Sequence, residues 1–359
     1  MKKITTIAGD GVGKEVMEAG LTILESLNLN YDFIKSKAGF ECFQNCGKTI
    51  PEETIKNAKK SAATLFGAIT STPSEKSPII TLRKELDVFA NLRPIKTFEG
   101  VNSLFNNIDF LIIRENTEGL YSQIESFEKE EEKNSTKKEK KENNENEKNN
   151  KITKTIAKRV ITKKASTKIC EFAYKTAIKN NRKKITCVHK ENVLKKTDGI
   201  FKESFYNVVE RYSAKCPDIK ANDYYIDATA MYLITKPQEF DIIVTSNLYG
   251  DILSDEGAGL VGGLGLSPSA NIGDKNGLFE PVHGSAPDIE GKGLANPIAM
   301  ILSISMMLEF LKEDFYAKQI NKAVENVLKS KKIATPDLGG NSKTSDITIA
   351  IKKELENLI

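Results

Sequence analysis

Short apolar runs alternate along the chain with stretches whose hydrophobic positions recur every three or four residues. The runs at 4–8, 64–68, 110–113, 185–188 and 241–245 read as strands, each followed by a turn and then by polar, helix-permissive sequence. After the first run, Val16, Gly20, Ile23, Leu24 and Leu27 fall on one face of a helix that starts near Lys14. Strands alternating with helices predict an α/β fold with a largely parallel sheet. No fixed-period repeat is present.

One segment breaks the pattern. Residues 128–150 contain only Glu, Lys, Asn, one Ser and one Thr. With no apolar side chain to bury, the segment cannot offset its ordering entropy, so disorder is expected. Its mixed charges nearly cancel, which argues against a polyanion-binding tail. It separates two β-like runs, 120–124 and 160–162, so its expected host is the loop of a hairpin. Lengthening such a loop costs only about 0.6 kcal/mol per doubling.

Composition narrows the class. At roughly 150 residues per domain, 359 residues suggest two lobes. Lys+Arg 53 against Asp+Glu 49 is too balanced for a dedicated nucleic-acid binder. Five cysteines form no disulfide framework, and Cys42 and Cys46 lack a second pair at zinc spacing, so they read as half-buried thiols. The longest apolar stretch, 297–311, is broken by Ser303, Ser305 and Glu309 and falls short of the ~20 residues a membrane span needs. The N-terminus reaches Gly9-Asp10-Gly11 too soon for a signal-peptide core. A cytoplasmic protein with neither membrane nor nucleic acid as partner is expected.

Gly9-Asp10-Gly11-Val12-Gly13 follows a strand and opens a helix, as a dinucleotide-binding turn does. The spacing fails: the third glycine of G-x-G-x-x-G would fall at Lys14. Asp32, the candidate ribose acid, sits inside the run 31–34 rather than at its end. A tight turn with positive φ accounts for these glycines without a nucleotide. Gly262-Gly263-Leu264-Gly265 is equally loop-like.

Charged residues carry the chemistry. Arg83, Arg93 and Arg114 lie in T-L-R-K, N-L-R-P and I-R-E-N. Guanidinium forks bind carboxylates bidentately, and three converging would suit a di- or tricarboxylate. Taken singly, each is expected at the surface; Arg114, closing an apolar strand, is expected to face solvent or a ligand. Asp251 and Asp255 stand at i and i+4, on one face if a helix begins there. A cation would resolve their repulsion, although a helix N-terminus attracts acidic residues by itself. With Asp227, which follows the strand-like run at 224–226, they would offer three carboxylates to Mg²⁺ or Mn²⁺. Lys190 at a strand end is a candidate base and Tyr121 a candidate proton donor.

Together these motifs resemble the β-decarboxylating dehydrogenases, which act on isopropylmalate, isocitrate or homoisocitrate. The matching blocks are G-D-G-V-G-K-E-V at 9–16, L-R-K and N-L-R-P at 82–94, R-E-N-T-E-G-L-Y at 114–121 and H-K-E-N-V-L at 189–194. They continue with D-A-T-A-M at 227–231, N-L-Y-G-D-I-L-S-D at 247–255 and H-G-S-A-P-D-I-E-G-K-G-L-A-N-P at 283–297. The resemblance covers nearly the whole chain outside 128–150. Through the loop at 76–83 it is strongest to methanogen-type homoisocitrate dehydrogenases, which serve coenzyme B synthesis.

The resemblance implies an isopropylmalate dehydrogenase-like two-domain α/β fold, not an ordinary Rossmann fold. Residues 1–88 and 262–359 would form a large domain, and 89–261 a small one with the dimer interface and a clasp hairpin hosting the insertion. Arg83, Arg93 and Arg114, with Ser77 and Asp227, would bind substrate. Asp227, Asp251 and Asp255 would hold the metal, Lys190 would act as base and Tyr121 as proton donor. Thr70, Asn192, His283, Gly284, Ser285, Ala286, Asp288 and Asn296 would contact the cofactor. Lys190 and Asp227 would reach the site from a neighbouring subunit, making a homodimer, alone or within a larger assembly, a catalytic requirement.

Asp288 stands where relatives contact the adenine ribose, and an acid there favours NAD over NADP. The mixture of Ser77 with Ile79 and Ile80 suits a carboxylate at the end of a methylene chain, as in homoisocitrate and its longer homologues. The alternatives are 3-isopropylmalate and isocitrate. Glu191 departs from the Ala or Gly common in relatives and sets a charge beside the lysine. Two rivals remain: a non-catalytic subunit of the same fold, whose metal or base positions would be substituted, and a polyanion-binding protein working through 128–150.

Overall fold

The computed structural model describes residues 1–72, 75–129 and 152–359. The run expected to be disordered therefore lies outside the described residues from 130 to 150. Its first two residues, Glu128 and Lys129, belong instead to a strand.

From the N-terminus the chain alternates β1 (Lys2–Gly9), α1 (Gly13–Ser26), β2 (Tyr31–Lys35), α2 (Phe40–Cys46), α3 (Glu52–Lys60), β3 (Ala63–Ala68) and α4 (Pro78–Glu85). The middle runs β4 (Ala90–Lys96), β5 (Asp109–Glu115), β6 (Glu125–Lys129), β7 (Ile152–Ala157), α5 (Lys163–Lys179), β8 (Lys184–His189), α6 (Thr197–Ser213), β9 (Lys220–Tyr225), α7 (Ile226–Thr235), β10 (Ile242–Thr245) and α8 (Asn247–Val261). The last part holds β11 (Pro268–Ile272), β12 (Gly277–Pro281), α9 (Ile298–Phe310), α10 (Asp314–Ser330) and α11 (Thr344–Leu358).

Ten strands make one sheet in the order β2-β1-β3-β12-β11-β4-β5-β10-β8-β9. Both flanks are parallel, as the βαβ alternation predicts; the centre, β12-β11-β4-β5, is antiparallel. This centre brings β4 and β5 beside β11 and β12, which are remote in sequence, and the candidate site forms there.

The cores divide by sequence. One draws on residues from 4 to 65 and from 266 to 355. Two others draw only on 89–261. Helix α9, the long apolar stretch, is buried on nearly all sides, which explains its lack of a polar face. Among the described residues, no helix is long and apolar enough to cross a membrane.

The hairpin exists, but its strands are displaced from the expected runs. Residues 120–124 are not a strand: Leu120–Ser122 is a 3₁₀ turn between Gly119 at φ 84° and Gln123 at φ 57°. Those left-handed residues break the extended backbone. Pairing starts at Glu125, opposite Ala157. Val160 makes only one bridge, to Gly119, and Thr162 caps α5 by accepting the N–H of Ala165 at 3.2 Å.

Candidate active site

Three arginines from three elements end in one cavity of about 600 Å³: Arg83 from α4, Arg93 from β4 and Arg114 from β5. They are 7%, 6% and 1% exposed, so the surface placement expected of each alone does not hold, nor does Arg114 face solvent. Each guanidinium stays buried because it meets buried acceptors.

Asn247, at the start of α8, accepts from Arg114 Nε at 3.0 Å and Nη2 at 2.7 Å. Arg114 Nη1 pairs with Asp251, one turn further on. Gly250 makes room, since a Cβ there would lie 2.6 Å from the Cβ of Arg114. On β4, strand alternation sets Asn91 and Arg93 on one face, and Asn91 Oδ1 accepts from Arg93 Nε at 2.8 Å. Arg93 Nη1 donates to Ser254 Oγ at 2.6 Å and lies 3.1 Å from Asp251 and 3.4 Å from Asp255. Arg83 Nη2 donates to Glu280 Oε1 at 2.9 Å, while its buried Nε has no partner among the described residues.

A buried polar chain joins these arginines from below. Asn91 Nδ2 donates to Asn271 Oδ1 at 3.0 Å, and Asn271 Nδ2 donates to the same Glu280 oxygen at 2.9 Å. Asn91, Asn247, Asn271 and Glu280 are absent from the sequence-based site. Asn91 and Asn247 lie inside recognised motifs, and the parity of Asn91 with Arg93 was a usable signal. For Asn271 and Glu280 no signal existed, because only the pairing of β11 with β4 and β12 brings them in.

Burial sets the charges. It lowers the Arg114 guanidinium to about 10, with Arg93 and Arg83 adding to the effect. Arg93 is lowered too, by burial against the pull of Asp251. Burial pushes Asp251 up, yet Arg114, Arg93 and the Tyr121 hydroxyl outweigh it and hold the carboxyl below the usual carboxylate range. Asp255 is raised by burial, with Asp251 adding and Arg93 opposing. The two aspartates do share a face of α8, and Arg93 bridges them. Tyr121 donates its hydroxyl to Asp251, and its ring lies 4.9 Å from the Arg114 guanidinium. Burial raises this phenol above its ordinary value, so it holds its proton at neutral pH.

Ser77, Ile79 and Ile80 line the cavity with Lys76 and Gln123. A smaller cavity of about 160 Å³ shares Arg83 and Arg93 and is lined by His283 and Gly284. Burial lowers the His283 pKa, and its buried Nε2 has no partner among the described residues. Ser285 Oγ lies 2.8 Å from Thr70 Oγ1, and its carbonyl accepts the N–H of Val12 at 2.9 Å. Gly11 stands at φ 55°, and a Cβ there would lie 2.1 Å from that carbonyl. The glycine run is thus the expected tight turn with positive φ, and it is seated on the 283–289 loop. Ala286 adopts φ 37°, and Asp288 is exposed. Asn296 is occupied internally: Nδ2 donates to Asp337 at 3.0 Å and Oδ1 accepts from the N–H of Ile298 at 3.0 Å.

Lys190 and Asp227 lie elsewhere. Lys190 follows β8 and pairs with Asp227 in the first turn of α7; that hydrogen bond is the main reason the Asp227 carboxyl is lowered. Neither lines the arginine cavity. Asn192, exposed, shares the Lys190 turn rather than the 283–289 loop. Glu191 points to Lys202, 4.0 Å away. Among the described residues, no three His, Cys, Asp or Glu side chains of one chain gather as a metal site. Asp251 and Asp255 still fit a hard cation as part of a set: both offer only carboxylate oxygens, and Asp255 is a half-exposed acid raised beside a second acid. Cys42 and Cys46 have no such partners; Cys42 is buried, Cys46 exposed, and their sulfurs are 3.6 Å apart.

At the antiparallel centre of the ten-stranded mixed sheet, buried arginines thus face aspartates and a tyrosine, an arrangement suited to a small carboxylate. Residues 3–351 match the isocitrate/isopropylmalate dehydrogenase family, and the chain belongs to it. It is 49% identical over 355 residues to the 3-isopropylmalate dehydrogenase of Methanothermobacter thermautotrophicus, covering 99% of each chain. It is 48% identical to the homoisocitrate dehydrogenase of Methanocaldococcus jannaschii, covering 97% of this chain and 96% of that one. The crystal structure of isocitrate dehydrogenase from Methylococcus capsulatus superimposes with a TM-score of 0.90 at 38% identity, covering 99% of each chain. The protein is an oxidoreductase, an oxidative decarboxylating dehydrogenase of a family that uses a divalent metal and NAD(P).

Proposed function

We propose that the protein oxidatively decarboxylates homoisocitrate and its longer homologues with NAD. The observation that carries this reading is the convergence of Arg83, Arg93 and Arg114 on a cavity whose α4 wall offers Ile79 and Ile80 beside Lys76 and Ser77. Guanidinium forks suit the malate carboxylates, the isoleucines suit methylenes, and the polar rim suits a distal carboxylate. A competing reading, 3-isopropylmalate, is favoured by the same isoleucines and by the 49% identical relative of that name. Exposed Asp288 favours NAD, since a carboxylate accepts from a ribose diol and repels a 2′-phosphate.

In this reading the lobes are 1–88 with 262–359, and 89–261, supported by the division of the cores. The active unit is a homodimer. Asp251 and Asp255 with Asp227 of the partner subunit hold Mg²⁺ or Mn²⁺, and Thr70, His283, Gly284, Ser285 and Ala286 border the nicotinamide nucleotide. When bound, the metal would supply Lewis-acid polarisation of the substrate oxygens and the nicotinamide nucleotide would serve as hydride acceptor. The arginines bind and orient the carboxylates. Lys190 removes the hydroxyl proton, and Tyr121 returns one to the carbon that CO₂ leaves.

Initial rates of NAD and NADP reduction with isocitrate, homoisocitrate and 3-isopropylmalate, with and without EDTA, test the reading. It expects the highest kcat/KM for homoisocitrate with NAD and none after chelation. Preference for the branched substrate transfers the assignment to 3-isopropylmalate, and NADP preference unchanged by Asp288→Lys removes the cofactor argument.

A further inference from the structure

The turn that carries Lys190 is held from below by groups outside the cavity. Asp198, in the first turn of α6 and 1% exposed, accepts the backbone N–H of Lys190 at 2.6 Å through Oδ2. Its Oδ1 pairs with Arg159. Arg159 lies just past β7, at the base of the hairpin. Its Nη1 also donates to Thr197 Oγ1 at 3.1 Å, and its Nη2 donates at 3.0 Å to the hydroxyl of Ser246, the residue that opens α8. Its guanidinium lies 4.9 Å from the ring of Tyr249, also on α8. One planar group therefore joins the hairpin, the Lys190 turn and the helix that carries Asp251.

The segment facing it across the hairpin base leads into the 3₁₀ turn that carries Tyr121. The N–H of Gly119 donates to the carbonyl of Val160 at 2.8 Å, one residue after Arg159 and two before Tyr121. Glu118 accepts from the N–H of Thr162 at 2.8 Å, and its carbonyl accepts from Asn247 at 3.1 Å. A buried carboxylate such as Asp198 is costly unless paired, so this ion pair does more than decorate a surface.

We propose that Arg159 and Asp198 are positioning residues for Lys190, and that through them the hairpin base registers Lys190 against Tyr121. The proposal rests on the reading of Lys190 as the base. Where Lys190 serves the neighbouring subunit, each hairpin then sets the donor of one site and the base of the other.

The test is a double-mutant cycle on the full-length enzyme, with thermal melting as a check on folding. Lys190→Ala alone must abolish nearly all turnover; if it does not, the reading of Lys190 fails together with this proposal. With that met, Arg159→Gln is expected to lower kcat about 10- to 100-fold with little change in substrate KM, the scale of a misplaced catalytic group. In the Lys190→Ala background the same substitution should cost less than about 2-fold, because the group it positions is gone. Arg159→Lys, a milder change, should recover part of kcat by keeping the charge on Asp198. An equal loss in both backgrounds, or a rise in KM at constant kcat, leaves Lys190 as base and overturns the positioning role.

Discussion

At the scale of single residues, the site depends on acceptors that keep three cations buried. Arg114 has most at stake, because it is 1% exposed and Asn247 satisfies two of its donors. Asn247→Ala removes the acceptor that Nε and Nη2 share, while Asp251 holds only Nη1. A hydrogen bond to a charged group is worth about 1.5–3 kcal/mol, so urea denaturation should show a loss of at least that size. Substrate KM should rise as well, because the fork loses its orientation. Unchanged stability would mean that Arg114 finds other acceptors. The arginines, aspartates, lysine and tyrosine were legible in the chain, because their type and local spacing announce chemistry. The asparagines behind them were not: an amide reads alike in a loop and in a buried network.

At the scale of elements, the turn between β1 and α1 holds the loop at 283–289. Contact is backbone to backbone, from Val12 to Ser285, and Gly11 sits where a side chain would strike that carbonyl. Gly11→Ala also asks a non-glycine residue to hold φ 55°. The expected result is a higher KM for the nicotinamide nucleotide with kcat much less affected, and a fall in melting temperature of a few degrees, about 1 kcal/mol or more. Equal effects on both substrates would argue that the turn serves the whole sheet instead. Strands and helices with clear periodicity are readable, and a hairpin does flank the segment expected to lie in its loop. Its strands were misplaced because Gly119 and Gln123 take left-handed backbone, which apolar patterning does not encode.

At the scale of the whole molecule, Lys190 and Asp227 stand outside their own chain's cavity, while α7 and α8 present exposed apolar side chains. Met231, Ile234 and Ile252 are 51%, 58% and 54% exposed, an unusual investment for a solvent-facing surface. If this face joins two copies, sites are shared. Coexpressed Lys190→Ala and Tyr121→Phe chains, each inactive alone, should then regain turnover in mixed dimers, because one of the two sites has both groups intact. Mixed dimers as inactive as either parent would confine each site to one chain.

The amino-acid order alone determined the βαβ alternation, the parallel flanks, the failure of the glycine turn as a nucleotide fingerprint and the identity of the charged groups. Each of these was announced by a local pattern or by the chemistry of one side chain, although the parallel pairings of β10 with β5 and of β12 with β3 join segments far apart in the chain. Only the tertiary structure decided that Asn91, Asn271 and Glu280 support the arginines, that Asp251 is shared by Arg93, Arg114 and Tyr121, and that Arg159 reaches the Lys190 turn. Those depend on which strands become neighbours at the antiparallel centre and on where a hairpin closes, and such pairing between distant segments is set by the free energy of the whole chain rather than by any local pattern.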